Sequence, residues 1–147
     1  MLQRLGVQKH GEGVLIDKLE GTRYEGQFNL NRKHGQGKLI YEATGDYYEG
    51  QFMYNHFQGT GVFHFSNGEK FEGDFQQSQM KTGIFTYQNG DEYAGDFKDD
   101  LFDGYSLFKY ANGDTYCGDF VKGKKQGEGV LKLKDVGHEL IGRFEND

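Results

Sequence analysis

The stretch YANGDTYCGDF, residues 110–120, decides the fold, because the chain writes nearly the same phrase again and again. TGDYYEGQF (44–52), SNGEKFEGDF (66–75) and QNGDEYAGDF (88–97) are versions of it. Reduced to Tyr/Phe-x-Gly-x-Phe, the phrase recurs at 24–28, 48–52, 71–75, 93–97 and 116–120, and LIGRF at 140–144 is a weaker copy. The starts at 24, 48, 71, 93, 116 and 140 are 24, 23, 22, 23 and 24 residues apart. Between copies lies a second phrase, Gly-x-Gly-x-apolar-x-aromatic: GQGKLIY (35–41), GTGVFHF (59–65) and GEGVLKL (127–133). KTGIFTY (81–87) and GYSLFKY (104–110) are degenerate versions, and GEGVLID (11–17) begins the series. A period near 23 signals a repeat architecture in which each unit contacts only its neighbours.

Both phrases alternate with period two, so both are strands. Glycine at every second position and the lack of a 3.6-residue apolar stripe exclude helix. Each unit is therefore a β-hairpin, joined to the next by the Asn-Gly phrase. Parity fixes the register: Phe108, Tyr110 and Tyr116 must share a face. A two-residue loop at Asn112 and Gly113 would break that agreement. A three-residue loop of Ala111, Asn112 and a left-handed Gly113 pairs Phe108 with Tyr116 and keeps it. From Tyr41 to Tyr48 a four-residue loop does the same, so Leu39 faces Tyr48.

Facing residues then form rows across the strands. One row is glycine except for Ser106, from Gly13 through Gly61 to Gly142. Beside it runs an apolar row: Leu15, Tyr24, Leu39, Tyr48, Phe63, Phe71, Phe85, Tyr93, Phe108, Tyr116, Leu131, Leu140. On the other side Phe28, Phe52, Phe75, Phe97, Phe120 and Phe144 alternate with glycine, Lys81 standing in for one. Rings lying over side-chain-free backbone let a single sheet bury aromatic area without a second layer. The expectation is an all-β fold: a single-layer, elongated, twisted antiparallel sheet of tandem hairpins, about 55 Å long. The units fall at 1–22 (partial), 23–46, 47–69, 70–91, 92–114, 115–138 and 139–147 (half).

Composition agrees. The 147 residues include 24 glycines, no proline and no tryptophan, with 16% aromatics placed at regular intervals. A net charge of −6 speaks against nucleic acid as a partner. The lone Cys117 gives no disulfide framework and fits a reducing compartment. No apolar run approaches a transmembrane helix, and Met1 to Arg4 open no signal peptide, so the reading is a cytoplasmic protein.

These residues resemble the MORN (membrane occupation and recognition nexus) repeat, whose units of about 23 residues read approximately Tyr-x-Gly-x-Phe/Trp, a loop, Gly-x-Gly, an aromatic and a Gly-Asp-like turn. The match spans residues 11 to 144, with departures at Lys81, Ser106, Asp17 and Leu140. The resemblance implies an elongated, grooved sheet used for binding and scaffolding, in cytoskeletal and ciliary assemblies, membrane-contact proteins, or beside lipid kinases and a lysine methyltransferase.

No catalytic constellation can be built. The Gly-x-Gly pairs lack the following helix that a phosphate loop requires. Histidines 10, 34, 56, 64 and 138 lack metal-ligand spacing, although His10 and His34 occupy equivalent places. Asp46, Glu69, Asp91 and Asp114 share one turn slot, as solvated carboxylates or a weak cation edge. Cys117, between Leu107 and Val130, is in company that does not favour a thiolate. The expectation is a non-enzymatic protein with no cofactor and no metal.

Three surfaces are candidates for partners. The first is the aromatic groove of Tyr24, Phe28, Tyr48, Phe52, Phe71, Phe75, Tyr93, Phe97, Tyr116 and Phe120, suited to a protein segment such as an amphipathic helix. The second is the opposite face, whose central row alternates charge through Val14, Glu25, Lys38, Glu49, Val62 and Glu72. That row then becomes apolar: Ile84, Ala94, Leu107, Cys117, Val130, Ile141. Such a stripe suggests contact with another protein or another copy. The third is the loops NLNRKHG (29–35) and KGKKQG (122–127), where Arg32, Lys33, Lys122, Lys124 and Lys125 could meet an anionic headgroup. MYNHFQ (53–58) and KDDLFD (98–103) likewise read as loops, exposing Met53, Phe57, Leu101 and Phe102. Both end strands invite strand addition. The reading is a scaffold that binds protein partners, in a cytoskeletal or ciliary assembly, with a phosphoinositide or membrane-tethering adaptor as the alternative.

Overall fold

The computed structural model describes residues 9–145; the predicted first and last units extend beyond these bounds and to that extent lie outside the described residues. It holds twelve strands: β1 (Gly11–Asp17), β2 (Thr22–Asn29), β3 (Arg32–Tyr41), β4 (Tyr47–Met53), β5 (His56–His64), β6 (Lys70–Gln76), β7 (Gln79–Thr86), β8 (Glu92–Lys98), β9 (Leu101–Lys109), β10 (Thr115–Val121), β11 (Lys124–Leu133) and β12 (His138–Glu145). They form one antiparallel sheet in which every strand pairs only with its neighbours in sequence. Alternation written with period two has nowhere else to bury its aromatic side, so the hairpins line up edge to edge.

The register follows the glycines. Gly61 faces Gly50 on one side and Gly73 on the other. The apolar row runs unbroken, from Leu15 opposite Tyr24 to Leu131 opposite Leu140. Phe108 faces Tyr116, and Gly113 has φ +93° in the three-residue loop that parity demanded. Leu39 faces Tyr48 across the four-residue loop.

The hairpin turns correct the sequence reading. NLNRKHG, MYNHFQ, KDDLFD and KGKKQG are not long loops; each folds into a two-residue turn between paired strands. Leu30 and Asn31 (φ +48° and +67°) connect β2 to β3, with Asn29 opposite Arg32. Tyr54 and Asn55, Gln77 and Ser78, Asp99 and Asp100, and Lys122 and Gly123 repeat the conformation, with both residues at positive φ. This is the turn whose twist matches that of the flanking strands. The remaining loop residues extend the strands.

A second correction concerns the alternating Phe/Gly row. Between hairpins it holds, with Gly35 opposite Phe52 and Gly59 opposite Phe75. Inside hairpins a bulge intervenes: Gly26 faces Gly37, but Phe28 faces Lys33 instead of Gly35. Phe52 likewise faces Phe57, and Phe120 faces Lys125. The β6–β7 hairpin, where Lys81 takes the glycine place, is one residue shorter, and there Phe75 faces Met80. That missing residue accounts for the 22-residue step in the sequence.

Candidate functional site

The aromatic face is built in two layers. The inner layer is a ladder of eleven rings: Phe28, Tyr24, Phe52, Tyr48, Phe75, Phe71, Phe97, Tyr93, Phe120, Tyr116 and Phe144. Each touches the next with centroids 4.8–5.4 Å apart and planes 76–88° to one another. Perpendicular pairs direct a ring's positive edge at its neighbour's negative face, worth about 0.5–1.5 kcal/mol beyond burial. Phe52, Phe75, Phe97 and Phe120 each lie between the ring four residues earlier on their own strand and the corresponding ring of the preceding hairpin. The tyrosines reach over the glycine row and donate to the backbone beyond: Tyr24 to Gln27 O (2.7 Å), Tyr48 to Gln51 O (2.8 Å) and Tyr93 to Asp96 O (2.6 Å). Burial pushes the Tyr24 phenol up to about 12, and raises Tyr48 and Tyr93 as well.

The ten rings predicted to meet a partner are therefore the core, between 0 and 7% exposed. Packing a single layer consumes its deepest rings, and the exposed part of this face lies above them. Part of it comes from the strands following the turns. Phe57 stacks on Tyr48 at 3.9 Å and Phe102 on Tyr93 at 3.8 Å, so neither is an exposed loop residue. At the corresponding places near the two ends of the sheet, Lys33 lies over the Tyr24 ring (5.8 Å) and Lys125 over Tyr116 (5.1 Å), as cation–π contacts.

The outer layer is a half-buried series of rings: Tyr41, Phe63, Phe65, Phe85, Tyr87, Phe108 and Tyr110. Consecutive members are 4.8–6.2 Å apart by centroid. Sequence reasoning placed these residues on the inner face without singling them out; the aromatic closing each Gly-x-Gly phrase was the signal. Two adjoining clefts open among them. One, of about 460 Å³, lies between Tyr41, Phe63, Phe65 and Phe85. The other, of about 230 Å³, lies between Phe85, Tyr87, Phe102 and Leu101. Met80, Phe85 and Asp100 line both, so they form one groove with a carboxylate on its bank.

The turns between hairpins carry the shared acidic slot. Asp46, Asp91 and Asp114 each accept a hydrogen bond from a backbone N–H of the next turn, Ser66, Ala111 and Lys134 respectively, all at 2.8 Å. They stitch successive turns together, and the Ser66 N–H holds the Asp46 carboxyl below its usual range. His34 sits on β3 with its ring 5.1 Å from Tyr54.

On the other face, register sets Ile84, Ala94, Leu107, Cys117, Val130 and Ile141 in a line across β7 to β12, each opposite the next. Ile84, Leu107 and Ile141 are exposed, whereas the other three are partly covered. Cys117 Sγ contacts Tyr105 Oη at 3.3 Å. In the charged half, Lys38 pairs with Glu49 at 3.3 Å.

The five basic candidates do not come together. Arg32 and Lys33 lie on β3, Lys124 and Lys125 on β11, with Lys122 in the turn before it. Eight strand spacings, about 38 Å, separate the two groups.

Comparison with known proteins adds the following. The family model described as MORN repeat matches residues 24–43, 48–70, 93–115 and 116–135. No curated protein matches the chain. Among solved structures, the chain is similar in fold to one described as the SAS-4 (dCPAP) TCP domain in complex with a proline-rich motif of Ana2 (dSTIL) of Drosophila melanogaster. The TM-score is 0.59 at 15% identity, over 90% of this chain and 72% of that one.

Proposed function

The chain belongs to the MORN repeat family, and from that premise we propose that it is a scaffold without catalytic activity that holds a segment of a partner protein in its aromatic groove. One observation carries this reading: after the inner ladder has satisfied itself, a continuous half-exposed row from Tyr41 to Tyr110 remains, with two joined clefts along it. A row of half-exposed rings along a groove is the kind of surface that marks a binding site.

The groove's repeat favours an extended occupant. Hairpins recur every two strands, about 9.6 Å. A polyproline II segment turns once every three residues, about 9.3 Å. A peptide with proline or another apolar residue at every third position therefore meets one gap between rings per turn. Aromatic-lined grooves take such ligands readily because the ligand is already stiff. The fold neighbour holds a proline-rich motif, which is consistent with this choice of occupant. Asp100 on the groove's bank favours a basic residue flanking the apolar ones. A cytoskeletal or ciliary setting belongs to the same proposal and rests on the family resemblance alone.

Fluorescence anisotropy with synthetic peptides tests the reading. A labelled peptide with proline at every third position and a terminal arginine should bind saturably, and a shuffled one should not. Phe65→Ser and Tyr87→Ser, both on cleft walls and outside the inner ladder, should each weaken binding by about tenfold. If an amphipathic helical peptide binds there instead, the groove stands and the polyproline assignment falls. If neither peptide binds, or the cleft substitutions change nothing, the groove is not the docking surface.

A further inference from the structure

We propose that copies of this chain join head to tail, β12 of one pairing with β1 of the next in the register of a closed hairpin. This does not depend on what the groove holds.

The described residues contain five closed hairpins, β2–β3, β4–β5, β6–β7, β8–β9 and β10–β11. The strands left over are a first-type strand at one end, β12, and a second-type strand at the other, β1. Each has one hydrogen-bonding edge without a partner among the described residues. They cannot satisfy each other within one copy, because eleven strand spacings, about 53 Å, keep them apart.

The register of the joint is already specified. In four of the five closed hairpins a glycine of one strand faces a glycine of the other; in β8–β9 Ser106 takes the second place. The same rule sets Gly142 against Gly13 of the next copy. Counting outward, Ile141 then meets Val14, Leu140 meets Leu15, Glu139 meets Ile16 and His138 meets Asp17. On the other side of the glycines Arg143 comes beside Glu12. Apolar residues meet apolar ones at two steps, and a cation meets a carboxylate where Arg143 comes beside Glu12. A register slip of one residue would turn every side chain to the wrong face.

β1 is also preshaped for that partner. Gly11 has φ +75°, matching Gly35 (+71°), Gly59 (+76°), Gly104 (+74°) and Gly127 (+83°), which make the bulges of the closed hairpins. β1 thus carries a hairpin bulge without a hairpin partner among the described residues. The side chains are exposed accordingly: Val14, Ile16, Leu140 and Ile141, all on the two end strands, are 53–75% exposed. Neither strand contains proline or lysine, the residues that ordinarily blunt an edge. Phe28 has Tyr24 beside it and the Lys9 ammonium over its ring at 5.5 Å, and Leu140 of the preceding copy would take the place that Tyr24 holds beside Phe52.

The joint uses two different surfaces, so it repeats without closing and produces a filament in which the sheet runs on from copy to copy. Sedimentation velocity and light scattering on the purified chain should give a mass that climbs with concentration through multiples of 16.8 kDa. Arg143→Glu, which sets a carboxylate beside Glu12, should raise the concentration for half-assembly at least about fivefold. Glu12→Arg should do the same, and the double variant Arg143→Glu/Glu12→Arg should recover most of it. A chain that stays monomeric across roughly a hundredfold range of concentration overturns the proposal. So does a species that stops at the dimer and disappears with Leu107→Lys, since that would place contact on the outer face. Failure of the double variant to recover, with both single variants assembly-defective and folded by circular dichroism, rejects this register.

Discussion

Gly61 and Tyr48 compete for one volume: a methyl group built on Gly61 would overlap the hydroxyl and ring of Tyr48. Gly37 stands in the same relation to Tyr24, and a methyl on Gly129 would lie 2.6 Å from the Tyr116 ring. Gly61→Ala should therefore destabilise the sheet by about 1–3 kcal/mol, the range for overpacking a site that cannot yield. Gly142→Ala, in the same row but with nothing within 4 Å of the new methyl, should stay within about 0.5 kcal/mol of the parent. Urea denaturation of the two variants side by side checks the contrast. Equal effects would mean that strand propensity, not the ring, sets the glycine row.

Ser106 shows how the row tolerates a departure. Its hydroxyl lies 2.7 Å from that of Tyr93, and it fits because a side chain on the neighbouring Gly95 would collide with it. Gly95→Ala should be strongly destabilising alone and less so combined with Ser106→Gly, a coupling of about 0.5–3 kcal/mol. A double-mutant cycle by thermal melting measures it. Strict additivity would show that Gly95 is needed for another reason.

Raising the pH should unfold the sheet through its phenols. Burial lifts Tyr24 to about 12 and raises Tyr48 and Tyr93 above the ordinary value of 10.0. The folded state then holds protons that the unfolded chain releases. Their stabilisation is complete below pH 10 and is lost as pH rises from there through about 12. A phenolate also cannot donate to the Gln27 or Gln51 carbonyl. The denaturation midpoint should be level from about pH 7 to 10 and fall above it. Tyr24→Phe should flatten the decline, and an unchanged slope would count against this account.

Much of the fold was legible because a period-two pattern with recurring glycine leaves one register. Gly61 opposite Gly50 and Gly73, and Phe108 opposite Tyr116, follow from parity alone. The hairpin turns were not legible. Leu30, Tyr54, Gln77 and Asp99 carry positive φ without being glycine, so the usual Asn-Gly signature was missing from all of them. The strain is held by contacts between neighbouring turns, which sequence does not display: Asn31 N donates to Lys9 O, and Asn31 Oδ1 accepts from Lys9 N. Asn55 and Lys33 repeat the exchange. With the turns misplaced, Phe57 and Phe102 were read as loop tips when they stack on the core. The ten rings of the inner row, read as open to a partner, are buried by one another.

Relaxing one turn tests that explanation. Leu30 is exposed and left-handed, a conformation costing an ordinary residue about 1–2 kcal/mol. Leu30→Asn should recover about 0.5–1 kcal/mol, because asparagine tolerates this region. Equilibrium unfolding reads it directly. A loss of stability would show that the leucine makes contacts worth more than the strain.

The strictly sequential strand order has a mechanical consequence. Held at its first and last strands and pulled along its length, the ribbon is loaded across its strands, so that each hydrogen-bonded ladder opens from one end like a zipper and does not have to shear as a whole. Tension would release one fold of the pleat at a time, with contour added in near-equal increments of two strands. An object assembled this way is compliant lengthwise and gives way by small recoverable steps.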